Sequence, residues 1–154
     1  MRFGESERLY ARAHVIPGRS MTRSKAPGAL FPVGRGPLYA DSGHGCMLVD
    51  ADGNEFVDMV CALGAVSIGY GGSQHVTPSS SLPYRLEIEA SEDVLRYLAP
   101  WASCVRFVKT GSEATQAAYR IAKRATGRKH VLMGDNSYHG WHEWCDDREF
   151  PFTH

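Results

Sequence analysis

The stretch VRFVKTGSEATQAAYRIAKRATGRKH, residues 105–130, is the feature that most constrains the fold of this 154-residue chain. A β-branched and aromatic run ends at Thr110 and is followed at once by an alanine-rich pattern with helical periodicity. We predict a strand over 104–109 and a helix over 111–126 with Gly127 as its C-terminal cap. A strand that leads directly into a helix is typical of α/β folds.

The neighbouring segments continue this alternation. Apolar side chains recur at helical intervals over residues 86–98, ahead of Pro100, and residues 130–135 predict a second strand. Strands that alternate with helices pair in parallel through right-handed crossovers. The second half of the chain therefore predicts an α/β unit with a parallel sheet, followed by a loop over 136–145.

The first half of the chain has a different character. Residues 5–14 predict a short helix, and the Gly/Pro-rich, basic residues 17–37 predict an extended arm. Two apolar runs then flank Asp52 and Gly53, and a dipeptide of this type between apolar runs is a strong hairpin signal. We expect an arm and a β-hairpin ahead of the parallel sheet.

Composition excludes several classes of function. With 43% hydrophobic and 22% charged residues the chain is typical of a soluble globular protein. Lys+Arg and Asp+Glu are both 17, and no apolar run is long enough to span a membrane, so neither nucleic acid nor membrane is an expected partner. The four cysteines match no zinc or redox spacing, which favours free thiols in a reducing cytoplasm.

The turn between the predicted strand and helix has the features of an anion site. The first amides of a helix lack intrahelical acceptors and lie at the positive end of its dipole. Gly111 would let an anion approach this backbone closely, and the Ser112 hydroxyl adds a donor. Thr110 and Glu113 also have the spacing of a capping box, which would satisfy the turn without any ligand, so both interpretations stay open.

A second group of residues follows the second predicted strand. Tyr138 and His139 would emerge at the same carboxyl edge of the sheet, where an aromatic ring can stack on a flat ligand whose phosphate sits at the helix start. Trp141 and Trp144 are better explained as surface or core residues. The polar side chains of this loop match no metal-binding spacing, and we predict no metal for them: His139, His142, Glu143, Cys145 and Asp146.

These two motifs, FVKTGSEATQAAYRIAKRATGR and YHGWHEW, in this order and at this separation, resemble the class III, fold type I, pyridoxal-phosphate-dependent aminotransferases. Within that family the sequence is similar to the glutamate-1-semialdehyde aminomutase branch. The resemblance extends upstream through ERLYARAHVIPG, GPLY, DADGNEFVDM and SLPYRLEIEASEDV. It implies an arm and hairpin segment over 1–75, part of a small domain, and the N-terminal part of the large, cofactor-binding domain over 82–154.

The resemblance also implies roles for the site residues. Gly111 and Ser112 would bind the phosphate of pyridoxal 5′-phosphate, Tyr138 would stack on its pyridine ring, and His139 would lie beside the ring. It further implies an enzyme that transfers an amino group between small molecules, and a homodimer for the intact protein. Around Leu63 the sequence lacks the tryptophan that is usual in the aminomutases, and SLPYRLE and YHGWHEW are similar to members that act on sugars or other non-glutamate compounds, so the substrate stays open.

One departure from the family pattern concerns catalysis. The Schiff-base lysine of the family, and the aspartate that pairs with the pyridine nitrogen, follow the YHG motif, and none of Lys25, Lys109, Lys123 and Lys129 fits that lysine's position. We therefore expect an N-terminal fragment that is inactive alone. Two alternatives stay open. One is a non-catalytic α/β module that keeps the turn only as a helix cap. The other is a nucleotide-binding α/β domain, which ranks last because the sequence contains neither GxxxxGK(S/T) nor GxGxxG.

Overall fold

The computed structural model describes residues 1–71, 80–134 and 137–145, and these fall into two units, Met1–Arg106 and Phe107–His154. The helices are α1 (Gly4–Arg12), α2 (Arg85–Asp93) and α3 (Gly111–Thr126), and the strands are β1 (Ala40–His44), β2 (Met47–Asp50) and β3 (Glu55–Val57). Short 3₁₀ turns cover Ala13–Val15, Pro17–Arg19, Arg23–Lys25 and Cys61–Gly64, and a π-helical turn, Val94–Leu98, extends α2.

An antiparallel sheet in the order β1-β2-β3 forms the scaffold of the first unit. The predicted hairpin is present, with Leu48 opposite Phe56 across β2 and β3. Its turn has three residues, because the Asp50 amide donates to the Asn54 carbonyl and Gly53 adopts the left-handed conformation at φ +80°. The Asp50 carboxylate, almost fully buried, closes the turn by accepting the backbone amides of Asp52 and Asn54.

The hairpin turn also caps α1. The Asp52 carboxylate accepts the amides of Glu5 and Ser6 at 2.7 and 2.9 Å, whereas Phe3 at the N-cap position contributes no side-chain bond. Burial raises the pKa of Asp52, but hydrogen bonds from Ser6 and from the Glu5 amide outweigh it and hold the pKa below its ordinary value. The predicted first helix is thus confirmed, and its cap is supplied from a distant part of the chain.

Two apolar clusters fill the first unit. One centres on side chains that α1, α2 and the entry to β1 bury completely, among them Leu9, Tyr39 and Ile88. The other lies beneath the sheet and includes Leu48 and Leu82. Burial raises the pKa of Tyr39 far above its ordinary value, since the phenolate form would lose its hydration. The predicted helix over 86–98 is confirmed by α2 and its π-helical extension.

The basic arm is not extended as its composition predicted, because 3₁₀ turns cover Pro17–Arg19 and Arg23–Lys25. The Arg106 guanidinium donates to the backbone carbonyls of Pro17, Ser20 and Met21 and so holds the arm against the first unit. The arm is also bound by α2, where the Glu87 carboxylate accepts the Met21 amide. Burial, only partly opposed by these hydrogen bonds and nearby cations, raises the pKa of Glu87. Glycine and proline content did not show that a remote arginine would bind the arm.

A left-handed turn follows β3. The four residues Cys61–Gly64 all have positive φ, although the first three carry side chains, for which this region is costly. The Asp58 carboxylate accepts the amides of Val60 and Cys61 at the start of the turn, and the Ser81 hydroxyl accepts the Ala62 amide within it. The surrounding hydrogen bonds therefore hold a strained backbone in place.

Tyr70 completes this network, which we call the Asp58 cluster (Asp58, Tyr70, Ser81). Its hydroxyl donates to Asp58 at 2.5 Å and accepts the Ser81 amide, and the Ser81 hydroxyl donates to Asp58 at 2.8 Å. Burial raises the pKa of Asp58, but these hydrogen bonds outweigh it and lower that pKa overall. Burial and the Asp58 contact together raise the pKa of Tyr70 to about 12.

The predicted parallel sheet is not confirmed. Residues 104–109 and 130–134 are described but form no strand, and residue 135 lies outside the described part of the chain. Strands of a parallel sheet are covered on both faces, whereas Leu132 is fully exposed and the alanine-rich face of α3 is largely uncovered. Among the described residues most side chains of these segments are exposed, so the segments lack the burial that would stabilise strands. The observed architecture is mixed helix and strand with an antiparallel sheet.

The sequence-based division at residues 75 and 82 stays a prediction, because residues 72–79 lie outside the described residues. No helix in the described ranges is both long and apolar enough to cross a membrane.

Candidate functional site

The start of α3 forms the capping box that its sequence predicted. The Thr110 hydroxyl accepts the Glu113 amide at 3.2 Å, and the Glu113 carboxylate accepts the amides of Lys109 and Thr110 at 2.7 and 3.1 Å. At the other end of the helix Gly127 is left-handed at φ +69°, as predicted for its cap. The turn is therefore held in place by its own side chains.

The capping box leaves two backbone amides at this helix end without an acceptor among the described residues. Within the described residues, no acceptor binds the amides of Gly111 and Ser112, since the first intrahelical bond is donated by Ala114 to the Thr110 carbonyl. A side chain added at Gly111 would meet no atom within 4 Å, so the approach to its backbone is open. Ser112 is the one residue of α3 classed as buried, at 8% exposure. These groups suit an anion that accepts hydrogen bonds from backbone amides.

The loop over residues 137–145 packs against this helix start. Gly140 is buried at φ +104°, and a methyl group added there would lie 3.0 Å from the Ser112 hydroxyl oxygen and 3.1 Å from that of Thr115. Only glycine fits this close approach in this backbone conformation. The glycine between Tyr138–His139 and the rest of the loop thus brings the two predicted motifs together.

Two further side chains, His142 and Trp144, fix the loop on α3 through three contacts. His142 donates through Nε2 to the Ser112 carbonyl at 2.9 Å, and the Trp144 indole donates to the Gln116 side chain at 2.6 Å. The Trp144 ring also stacks on Tyr119, with centroids 4.4 Å apart and planes 4° from parallel. Sequence reasoning treated His142 as polar surface and Trp144 as a surface or core residue. The one sequence signal for the Trp144 contact was an aromatic residue, Tyr119, on the predicted helix, on which a tryptophan ring can stack.

The two remaining predicted site residues lie in the same loop. Tyr138 is 67% exposed. The Nε2 atom of His139 is buried without a hydrogen-bond partner among the described residues. A buried imidazole nitrogen of this kind is costly until a ligand or water satisfies it.

A phosphorylated aromatic molecule fits these groups. Its phosphate could accept the amides of Gly111 and Ser112, and an unpartnered imidazole nitrogen and an exposed phenol ring belong to the loop that packs beside them. No cluster of three or more potential metal ligands occurs in the described ranges. These groups therefore suit a ligand that carries both a phosphate and a flat ring.

Comparison with known proteins identifies the family of the sequence. The profile of the family described as aminotransferase class-III matches residues 31–145, three quarters of the chain. The chain belongs to the class-III aminotransferase family. It is 36% identical over 150 residues to a glutamate-1-semialdehyde 2,1-aminomutase of Syntrophomonas wolfei, an alignment that covers 91% of this chain and 34% of that protein.

Other relatives carry different names. A 3-aminobutyryl-CoA aminotransferase of Cloacimonas acidaminovorans is 32% identical over 155 residues, with 94% of this chain and 36% of that protein covered. The crystal structure of an omega-transaminase from Sphaerobacter thermophilus is 27% identical with a TM-score of 0.36, and 90% of this chain aligns with 32% of it. That TM-score is too low to support an argument from the backbone. This class-III chain spans about a third of the length of the curated relatives it matches.

Proposed function

We propose that this class-III chain carries the phosphate-binding part of a pyridoxal-phosphate-dependent aminotransferase or aminomutase. Gly111 and Ser112 would hold the phosphate, Tyr138 would stack on the pyridine ring, and His139 would lie beside the ring. The supporting observation is the packing of Gly140 on Ser112, which keeps the loop that carries Tyr138 and His139 at the open start of α3.

Each of these residues has a defined part in binding. The two helix amides would donate to phosphate oxygens, while the capping box at Thr110 and Glu113 holds the turn in shape before any ligand arrives. His142 would keep the loop at the helix start through its bond to the Ser112 carbonyl. When bound, pyridoxal phosphate supplies a carbonyl that takes up an amino group and a ring that accepts electrons.

The proposal extends to the intact protein by family membership. Relatives named as aminomutases and as an aminotransferase match this chain at similar identity, so the proposal is limited to amino-group transfer between small molecules. A homodimer and a cytoplasmic location belong to the same proposal, as does a parallel sheet that residues 104–109 and 130–135 would join only when the rest of the intact protein covers them.

Binding of pyridoxine 5′-phosphate tests this site without interference from lysines, because this compound keeps the ring and the phosphate but has no reactive aldehyde. We expect it to bind the 154-residue chain at least about tenfold more tightly than pyridoxine, since charge-assisted hydrogen bonds contribute about 1.5–3 kcal/mol. Ser112→Ala removes the hydroxyl donor but keeps both backbone amides, so it should reduce this preference only in part, and Tyr138→Ala should weaken both compounds. Ser103→Ala, an exposed serine of the other unit, is the matched control.

A second candidate function is favoured by the completed capping box. If Thr110 and Glu113 already satisfy the turn, the chain could be a non-catalytic module in which α3 binds nothing. Equal affinity for pyridoxine and its phosphate, unchanged by Ser112→Ala, would support this module and refute the cofactor site.

Catalysis by the chain alone is a separate question. None of its lysines occupies the family's Schiff-base position, and the Lys123 ammonium is bonded to the Tyr119 hydroxyl at 3.1 Å. We expect no turnover when the purified chain is given pyridoxal phosphate and an amino donor. Formation of a keto product above the rate of the free cofactor would contradict this expectation.

A further inference from the structure

A cavity of about 290 Å³ lies in the first unit, and it involves none of the residues assigned to the cofactor. Most of its wall is apolar and includes Phe31, Phe56 and Leu82. Its two polar lining residues are Asp58 and Ser81, which belong to the Asp58 cluster. An apolar pocket with a few convergent polar groups is the usual form of a small-molecule site.

The charge of Asp58 determines which ligand this cavity suits. The hydrogen bonds of the Asp58 cluster lower its pKa, so the carboxylate is ionised at neutral pH. No cationic side chain in the described ranges forms an ion pair with it. Its partners are neutral hydroxyls and amides, which leave its negative charge uncompensated beside an apolar wall.

We propose that this cavity binds a small apolar molecule that carries an ammonium group. The apolar body would displace water from the wall formed by Phe31, Phe56 and Leu82, and the cation would lie beside Asp58. A carboxylate of similar shape would be repelled by Asp58, and a neutral molecule would gain only the apolar contact. This site is independent of the proposed cofactor function.

The fixed orientation of the Asp58 carboxylate supports this assignment. Asp58 is held by donors from Val60, Tyr70 and Ser81, so the carboxylate is already oriented before a ligand binds. Tyr70 is in turn held by packing against Gly43, where a methyl group would lie 2.8 Å from the ring. A ligand therefore does not have to order the charged group that it contacts.

Three probes of similar shape and different charge test the proposal on the unmodified chain: benzylammonium, benzyl alcohol and benzoate. Ligand-observed NMR should show benzylammonium binding about two- to fivefold more tightly than benzyl alcohol, and benzoate more weakly than both, for a partly exposed charge contact. Equal affinities, or a preference for benzoate, would overturn the proposal.

Variants test the role of Asp58 directly. Asp58→Asn keeps the shape of the side chain and should abolish the preference for benzylammonium over benzyl alcohol. Asp41→Asn is the control, because this exposed carboxylate pairs with Arg85 and does not line the cavity. If Asp58→Asn does not fold, Phe31→Ala must weaken benzylammonium and benzyl alcohol equally. A preference that persists in Asp58→Asn, or a Phe31→Ala variant that leaves both affinities unchanged, would overturn the assignment.

Discussion

The two units of this chain are structured in different ways. The first unit, Met1–Arg106, has fully buried side chains on two helices and immediately before β1, including Leu9, Tyr39 and Ile88. In the described part of the second unit, α3 buries only Ser112, and its Ile121 is 70% exposed. The first unit is thus held by packing, while α3 is defined by its caps and its helical composition. Substitutions should separate these two sources of order.

Removal of core volume should have the largest effect. We expect Ile88→Ala to lower the free energy of unfolding by about 2–5 kcal/mol, because a fully buried isoleucine leaves a cavity. Ile121→Ala, the same substitution on exposed α3, should change it by no more than about 0.5 kcal/mol. Urea denaturation followed by far-ultraviolet circular dichroism measures both, and equal losses would contradict the contrast.

Loss of the Asp58 carboxylate should come next. Asp58→Ala leaves the donors of Tyr70 and Ser81 without their acceptor, which should lower the free energy of unfolding by about 2–3 kcal/mol. Asp41→Ala removes an ion pair between an exposed carboxylate and a partly exposed Arg85 and should cost about 1 kcal/mol or less. Similar urea midpoints for the two variants would show that the Asp58 cluster is not a stabilising unit.

The same cluster predicts how stability depends on pH. The folded pKa of Asp58 is lowered, so its contribution is present above its ordinary value of 3.8 and is lost as the pH falls below it. The pKa of Tyr70 is raised to about 12, so its contribution is present below the ordinary value of 10.0 and is lost as the pH rises towards 12. Urea midpoints measured from pH 9 to 11.5 should fall less steeply in Tyr70→Phe than in the unmodified chain.

The helix cap should have a smaller, local effect. Thr110→Ala removes the acceptor of the Glu113 amide and should destabilise the first turn of α3 by about 1 kcal/mol. Thr110→Ser keeps a hydroxyl and is the matched control. Hydrogen exchange at the Glu113 amide should accelerate only in the alanine variant, and unchanged exchange would mean that α3 does not depend on its cap.

The strained turn should give the smallest change, with the opposite sign. Leu63 is exposed at φ +61°, so Leu63→Gly relieves strain with little loss of burial and should stabilise the first unit by up to about 1 kcal/mol. Gly64→Ala at φ +87° should destabilise it by a similar amount, although the added methyl meets no neighbour. A loss of thermal stability in Leu63→Gly would show that the turn is not strained.

Local sequence signals predicted the elements whose determinants lie close together in the chain. Gly53 indicated the hairpin, and the spacing of Thr110 and Glu113 together with Gly127 indicated both ends of α3. The candidate site was predicted as two motifs, and the structure adds Gly140 as the residue through which they meet. Its assignment to a cofactor stays a prediction.

Contacts between remote residues were not predictable from the sequence. Arg106 binds carbonyls more than 80 residues upstream, and Tyr70 and Ser81 meet at Asp58 from separate segments. The strands expected over 104–109 and 130–135 depended on a covering layer that local propensity cannot report. Periodicity describes which face of a segment is apolar, but it does not show what covers that face.

The cap on α1 has a consequence for the order of folding. Its acceptor, Asp52, lies 47 residues after the Glu5 amide and 46 after that of Ser6. During synthesis the amino-terminal segment is therefore made well before its acceptor. Closing so long a loop has an entropic cost, so we expect the segment to fluctuate until the β2–β3 turn docks on it. Helix and turn would then become ordered in one cooperative step.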